Sequence, residues 1–200
     1  QKEKVFAGLN SSYSEIWWFY PSASSSEIDR YVIYNYAERV WAYGTLNRTA
    51  WLDRGINDYP IGASTDYYLY NHEFGLDDGS TSPATGISCH IESSQIDVGD
   101  GETFTFINRL IPDVTFDGST SDSPSANFVL KSRNFPGANY STSESSAVTR
   151  TATVPVEQFT TLADVRLRGR SFALRVESTA SQVQWRLGAT RVNIRPDGKR

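Results

Sequence analysis

The amino-acid sequence predicts an all-β fold: propeller-like antiparallel blades over residues 1–86, followed by a β-sandwich-like or further blade-like region over residues 87–200. Three observations carry this. No window sustains apolar recurrence at the 3.6-residue period of a helix. Short runs of β-branched and aromatic residues recur between turn residues along the whole chain, which is the strand signal. The texture of those runs then changes. Seventeen of the Trp, Tyr and Phe residues fall in residues 1–75 and nine in the rest, so an aromatic-rich part is set apart from a Thr/Ser/Val-rich one.

Residues 15–43 organise the first part. Residues 15–20 (EIWWFY) form a dense aromatic strand, and the serine-rich stretch 21–29 is a loop. Residues 30–35 (RYVIYN) form a second strand. Residues 36–39 suit a tight hairpin turn, and residues 40–43 restart the sheet. On the second strand Tyr31, Ile33 and Asn35 share one face, and Val32 and Tyr34 the other. Residues 48–52 and 67–72 repeat the rhythm, with an extended stretch at 59–64, where Pro60 disfavours helix in Tyr59. Beyond residue 86 the expected strands are 87–92, 103–107, 127–131, 147–156, 171–177, 183–187 and 190–194. Phe172, Leu174 and Val176 alternate with Ala173, Arg175 and Glu177, the pattern of an antiparallel strand with one wet face. Residues 117–126 and 137–146 read as exposed loops, and 157–164 is the one stretch that admits a turn of helix. The expected core includes Trp18, Tyr31, Ile33, Trp41, Phe172, Leu174 and Trp185. The adjacent Trp17 and Trp18 point to opposite faces, either both packed in a core or one set against a neighbouring subunit.

Composition narrows the function classes. Cys89 is the only cysteine, so no intrachain disulfide forms. No apolar run approaches the roughly 18–20 residues of a membrane-spanning helix. No signal peptide is visible, and a chain that opens on Gln1 within a polar stretch reads as part of a longer one. The net charge of −4 is unevenly spread. Residues 166–200 hold eight Arg and one Lys against Glu177 and Asp197, a balance of +7, which leaves −11 for the remainder. A basic segment of this kind suits ion pairs with an acidic protein surface or contact with phosphates.

Motifs for catalysis are scarce. Cys89 and His90 are neighbours and would point to opposite faces of a strand, so they cannot share a zinc ion. Asp97, Asp100 and Glu102 surround a Gly-Asp-Gly turn without EF-hand spacing and read as a solvated hairpin tip. No G-x-S-x-G elbow and no phosphate-binding glycine loop occurs, and no metal or other cofactor is expected. Three Asn-x-Ser/Thr sequons, at Asn10, Asn47 and Asn139, read as chance matches. Carboxylates near the aromatics, Glu15, Glu73, Asp77 and Asp78, leave a glycoside hydrolase as a minor reading, since such enzymes need only two carboxyl groups.

Three stretches carry a resemblance: EIWWFYPSASSSEIDRYVIYNYAERVWAYG, the IGAS…YLYNHEFGLDDG segment, and the terminal RLRGRSFALRVES…VQWRLGATRVNIRPDGKR. Together they resemble the C-terminal part of the tail nozzle or tail-hub proteins of short-tailed phages, a group that includes packaged-DNA-stabilisation proteins. The resemblance implies a β-propeller region, a homo-oligomeric ring, hexameric by analogy, around the DNA exit channel, contacts with other tail proteins, and a place in the virion after assembly in the host cytoplasm. It implies no catalytic residues. Within this reading Arg166, Arg168, Arg170 and Arg175 are the candidate residues for assembly or for non-specific contact with packaged DNA, and alternation places the first three on one face if they are extended. The alternative is a receptor- or carbohydrate-binding β-module of a virion or bacterial surface.

Overall fold

The computed structural model describes residues 2–135 and 150–199. The expected loop at 137–146, the sequon at Asn139 and the first residues of the strand expected at 147–156 lie outside them. Strands make up 49% of the described residues and none of them is in an α-helix, so the chain is all-β, built of several antiparallel sheets. No closed barrel or propeller forms among the described residues. The expected helical turn at 157–164 is instead a tight turn closed by Thr160 N–H donating to Glu157 O, after which the chain returns as a strand. The chain divides into two units, Gln1–Gly75 and Leu76–Arg200.

The first unit opens with a 3-10 turn, Lys2–Lys4, and then a four-stranded antiparallel meander. Its strands are β1 (Phe6–Asn10), β2 (Glu15–Tyr20), β3 (Arg30–Asn35) and β4 (Val40–Thr45). The nine-residue loop before β3 is pinned by Asp29, whose carboxylate accepts from Ser22 N–H (2.6 Å) and Ser22 Oγ–H (2.7 Å). Trp17 pairs with Ile33 and Phe19 with Tyr31, and this side of the sheet is the inward one. Phe6 stacks on Phe19 at 5.0 Å and Trp17 on Tyr31 at 4.9 Å.

Over this face lies a smaller sheet of β5 (Ala50–Leu52), β6 (Ile61–Ala63) and β7 (Leu69–Asn71). Trp51 of β5 stacks on Trp17 at 5.2 Å and donates its Nε1–H to Leu9 O. The approach is so close that a Cβ on Gly8 would sit 2.4 Å from Trp51 Cδ1, which is why β1 carries glycine there.

This register corrects two expected core positions. Trp18 lies on the opposite face from Trp17 and is only half-buried, and Trp41 is 64% exposed. Trp17 and Phe19 fill the core instead. Side chains alternate along a strand, so a face that takes Ile33 and Trp17 must turn Trp18, Tyr34 and Trp41 outward.

The second unit begins with a hairpin, β8 (Asp77–Asp78) and β9 (Thr85–Gly86). The change of texture read at residue 86 therefore falls after the structural division at Gly75. The hairpin belongs to the second unit because Asp77 Oδ1 accepts from Gln182 N–H (2.6 Å), and Gly86 passes so near Thr179 O that a Cβ would lie 2.3 Å away.

Two sheets follow. One contains β10 (Cys89–Glu92), β17 (Ser171–Ser178), β14 (Ser125–Arg133) and β15 (Thr151–Glu157), in that order, with β11 (Ile96–Asp97) also paired to β17. The other has the order β16 (Ala163–Gly169), β12 (Thr105–Ile111), β19 (Arg191–Pro196). A two-stranded pair, β13 (Val114–Thr115) with β18 (Arg186–Leu187), completes the unit.

One core joins both sheets: Ile107, Leu110, Val165 and Leu167 from the second, and Phe128, Leu130, Val156, Phe172 and Val176 from the first. Phe172 and Val176 of β17 are buried as expected, and Leu174 and Trp185 are half-buried against the same core; Ala173, expected on a wet face, is buried as well, and Arg175 and Glu177 beside it are half-buried. Strand β16 was missing from the sequence reading. Its residues alternate without fault, Ala163, Val165 and Leu167 inward and Asp164, Arg166 and Arg168 outward.

Candidate functional site

The paired carboxylates are the first candidates for chemistry. The structure brings Glu15 and Glu73 together and leaves Asp77 and Asp78 in the other unit. Asn10, fully buried at the end of β1, donates through Nδ2 to Glu15 Oε2 (3.3 Å) and to Glu73 Oε1 (3.2 Å). Trp17 Nε1–H donates to the same Glu15 oxygen at 2.9 Å. Glu73 as a whole is exposed, but its carboxylate end turns in to Asn10. Burial there, with the Glu15 charge beside it, pushes the Glu73 carboxyl above the ordinary range. Asp77 serves Gln182 as described, and Asp78 Oδ1 accepts from Ser80 N–H (2.9 Å) to hold the hairpin tip.

His72 sits on Trp51 (ring centroids 4.6 Å apart) and accepts from Arg48 Nε–H at 2.8 Å. Burial and the adjacent guanidinium lower its pKa to about 4, so it is a neutral acceptor that ties β7 to the residues preceding β5. Asp97 accepts from Gln95 Nε2 and Asp100 from Glu102 N–H, both local turn bonds. Among the described residues no three His, Cys, Asp or Glu side chains are grouped to hold a metal ion.

Two surfaces stand out more strongly. The outward face of the β1–β4 meander is aromatic. Tyr34 and Trp41 are cross-strand partners with centroids 4.6 Å apart, and Trp18 stacks on Trp41 at 5.9 Å. Tyr43 opposes Val32 on the same face and is 86% exposed, and Leu9, opposite Ile16, is 51% exposed. Contiguous apolar surface of this kind marks an interaction site on a folded domain.

The second surface is basic. Arg166 and Arg168 point outward from β16, and Arg170 follows at the strand's end. The guanidinium groups of Arg168 and Arg170 both lie over the ring of Phe104, at 4.0 and 4.7 Å, and Arg168 pairs with Asp197. Arg175 is not part of this cluster. It lies on the other sheet, where it pairs with Glu177 (2.6 Å) and with Glu92 (3.2 Å), while Lys131 also holds Glu92 at 2.9 Å. The Arg175 guanidinium is held still more firmly charged by Glu177.

The sequence reading missed Arg195, which the pairing of Phe106 with both Arg168 and Arg195 brings to the same face. The alternation of Arg191, Asn193 and Arg195 along β19 was the available signal. Where β15 and β16 run side by side as edge strands, an open groove of about 410 Å³ lies between them, with Arg150 and Arg166 on its walls.

No known protein family matches the chain, and no curated protein matches it. No helix among the described residues is long and apolar enough to cross a membrane. Fold and surfaces together define an all-β chain whose prominent features are an exposed aromatic sheet face and a basic sheet face.

Proposed function

We propose that this chain is a structural component of a phage tail, part of a nozzle or hub around the DNA exit channel, and that it acts by contact rather than by turnover. The observation that carries the reading is the outward aromatic face of the meander. Trp and Tyr are the favoured anchors of protein interfaces, and leaving Trp41 and Tyr43 in water forgoes the stabilisation their burial would bring. A neighbouring copy seated on this face would recover it. One of the three stretches that carry the resemblance to tail proteins, residues 15–44, supplies most of the face. The meander has the size of one propeller blade, and the two-sheet core of the second unit suits a sandwich. Negative-stain electron microscopy of the purified chain tests the reading: closed rings are expected, and a uniform monomer at every concentration would count against it.

A second reading is carbohydrate binding. Neighbouring rings on a sheet face offer a stacking platform for a sugar, and exposed Trp41, flanked by half-buried Trp18 and Tyr34, supplies one. Binding of the monomer to a glycan array, lost in Trp41→Ser, would favour it over assembly.

A further inference from the structure

We infer that the outer face of the β16–β12–β19 sheet docks the phosphate backbone of nucleic acid. The inference takes only the nature of the polyanion from the tail reading; the surface itself rests on its own residues. The charge is concentrated. Arg166 and Arg168 come from β16, Arg109 from β12, and Arg191 and Arg195 from β19, all on strands hydrogen-bonded to one another. Adjacent strands lie about 4.8 Å apart and alternate residues about 6.6 Å apart along a strand, so these groups form a sheet of charge rather than a scatter. Arg170 and Lys199 extend it at the end where Arg170 Nη2 donates to Lys199 O (3.4 Å).

The compensating acids are few. Asp197 takes Arg168, and Glu102 takes Lys199 at 3.5 Å. Asp164 takes Arg109 at 3.6 Å, and both of those side chains are exposed, which makes the pair weak. Arg166, Arg191 and Arg195 are exposed and have no ion-pair partner among the described residues. On the other sheet Lys131 and Arg175 are closed off by Glu92 and Glu177.

The cluster is also pre-positioned. Phe104 packs under the two guanidinium groups of Arg168 and Arg170, and its N–H and C=O are fixed by Gly198 O and Asp197 N–H. Holding the cations in place lowers the ordering cost of binding. Phe106, between Arg168 and Arg195, is half-buried and interrupts the positive surface with a ring that can meet sugar or base. A protein partner would need an apolar centre to its interface. Of the exposed large apolar residues of this sheet, Val192 pairs with core Leu110 on the inward side, and Ile111 lies on the outer face beside Arg191, at the opposite end from Arg168 and Arg195. A surface dominated by cations, with one half-buried ring among them, suits phosphate recognition.

The test is fluorescence anisotropy of the full chain with a labelled 20-base-pair duplex between 50 and 200 mM salt. The intact chain is expected to bind, with affinity falling linearly on a log–log salt plot. The variant Arg166→Ser/Arg191→Ser/Arg195→Ser should lose at least tenfold in affinity at 50 mM salt and flatten the slope by about 2 to 3, close to one per phosphate contact removed. Arg175→Ser removes one charge from the ion-paired network and should leave affinity within twofold. An unchanged melting curve for the triple variant shows that it folds. The inference is overturned by absence of duplex binding at 50 mM salt, by equal loss in Arg175→Ser, or by binding of poly-glutamate in place of DNA, which would assign the face to an acidic protein. Trp41→Ser lies in the other unit and should leave duplex binding intact, so a failure of ring assembly and a failure here are separable.

Discussion

Trp41 stands directly across β3–β4 from Tyr34, with ring centroids 4.6 Å apart and nearly two-thirds of the tryptophan in contact with solvent. This pair divides the meander into a face that holds the first unit together and a face that does not. Truncation on the two faces should therefore cost very different amounts of stability. Phe19→Ala removes a fully buried ring and should destabilise the first unit by about 3–5 kcal/mol. Trp41→Ser should cost less than about 1 kcal/mol. Thermal melts of the two variants at a concentration where the chain is monomeric check this, and equal losses would mean that the meander's inward face is misassigned.

The contact between Gly8 and Trp51 gives a sharper packing test. Gly8→Ala places a methyl group against the indole and should cost about 1–3 kcal/mol. In a Trp51→Ala background the clash is gone. The same substitution should then be neutral or stabilising by about 0.5–1 kcal/mol, because alanine loses less backbone freedom on folding than glycine. A double-mutant cycle on denaturant midpoints reads the sign change.

His72 makes stability depend on pH. Its pKa is about 4 in the folded chain against 6.5 as a free side chain, so the unfolded chain binds more protons between those values. Its contribution is fully present above pH 6.5 and is lost as pH falls toward 4. Glu73, whose carboxyl is pushed upward, acts in the opposite sense, losing its contribution as pH rises. Comparing the intact chain with His72→Gln cancels that background. The melting-temperature advantage of the intact chain should be largest at pH 7 and should shrink by pH 4; a constant difference would show that the Arg48 contact does not fix the neutral ring.

Much of this fold was legible in the residues, and the misses have physical causes. The β3–β4 register followed from the four-residue turn at 36–39, which opposes Asn35 to Val40. That register sets Trp41 against Tyr34, so Ile33 and Trp41 could not both face the core, and expecting both buried was inconsistent with the alternation already read. The β2–β3 register was not readable, because the nine-residue loop between them does not specify a pairing. The basic face was half legible. Arg166, Arg168 and Arg170 were visible as a stripe, but Arg195 joins them only through pairing with β12, and Arg175 leaves them because consecutive strands enter different sheets. The meeting of Asn10 with Glu73, which brings Glu73 beside Glu15, spans 63 residues and has no local signal.

Under the proposed tail function, the aromatic face of the meander is covered by another copy of the chain. Mass photometry of the intact chain beside Trp41→Ser/Tyr43→Ser, over a concentration series, reads this contact. The intact chain is expected to populate a discrete oligomer that the double variant, still folded by circular dichroism, cannot form. An identical mass distribution for the two proteins would contradict the claim.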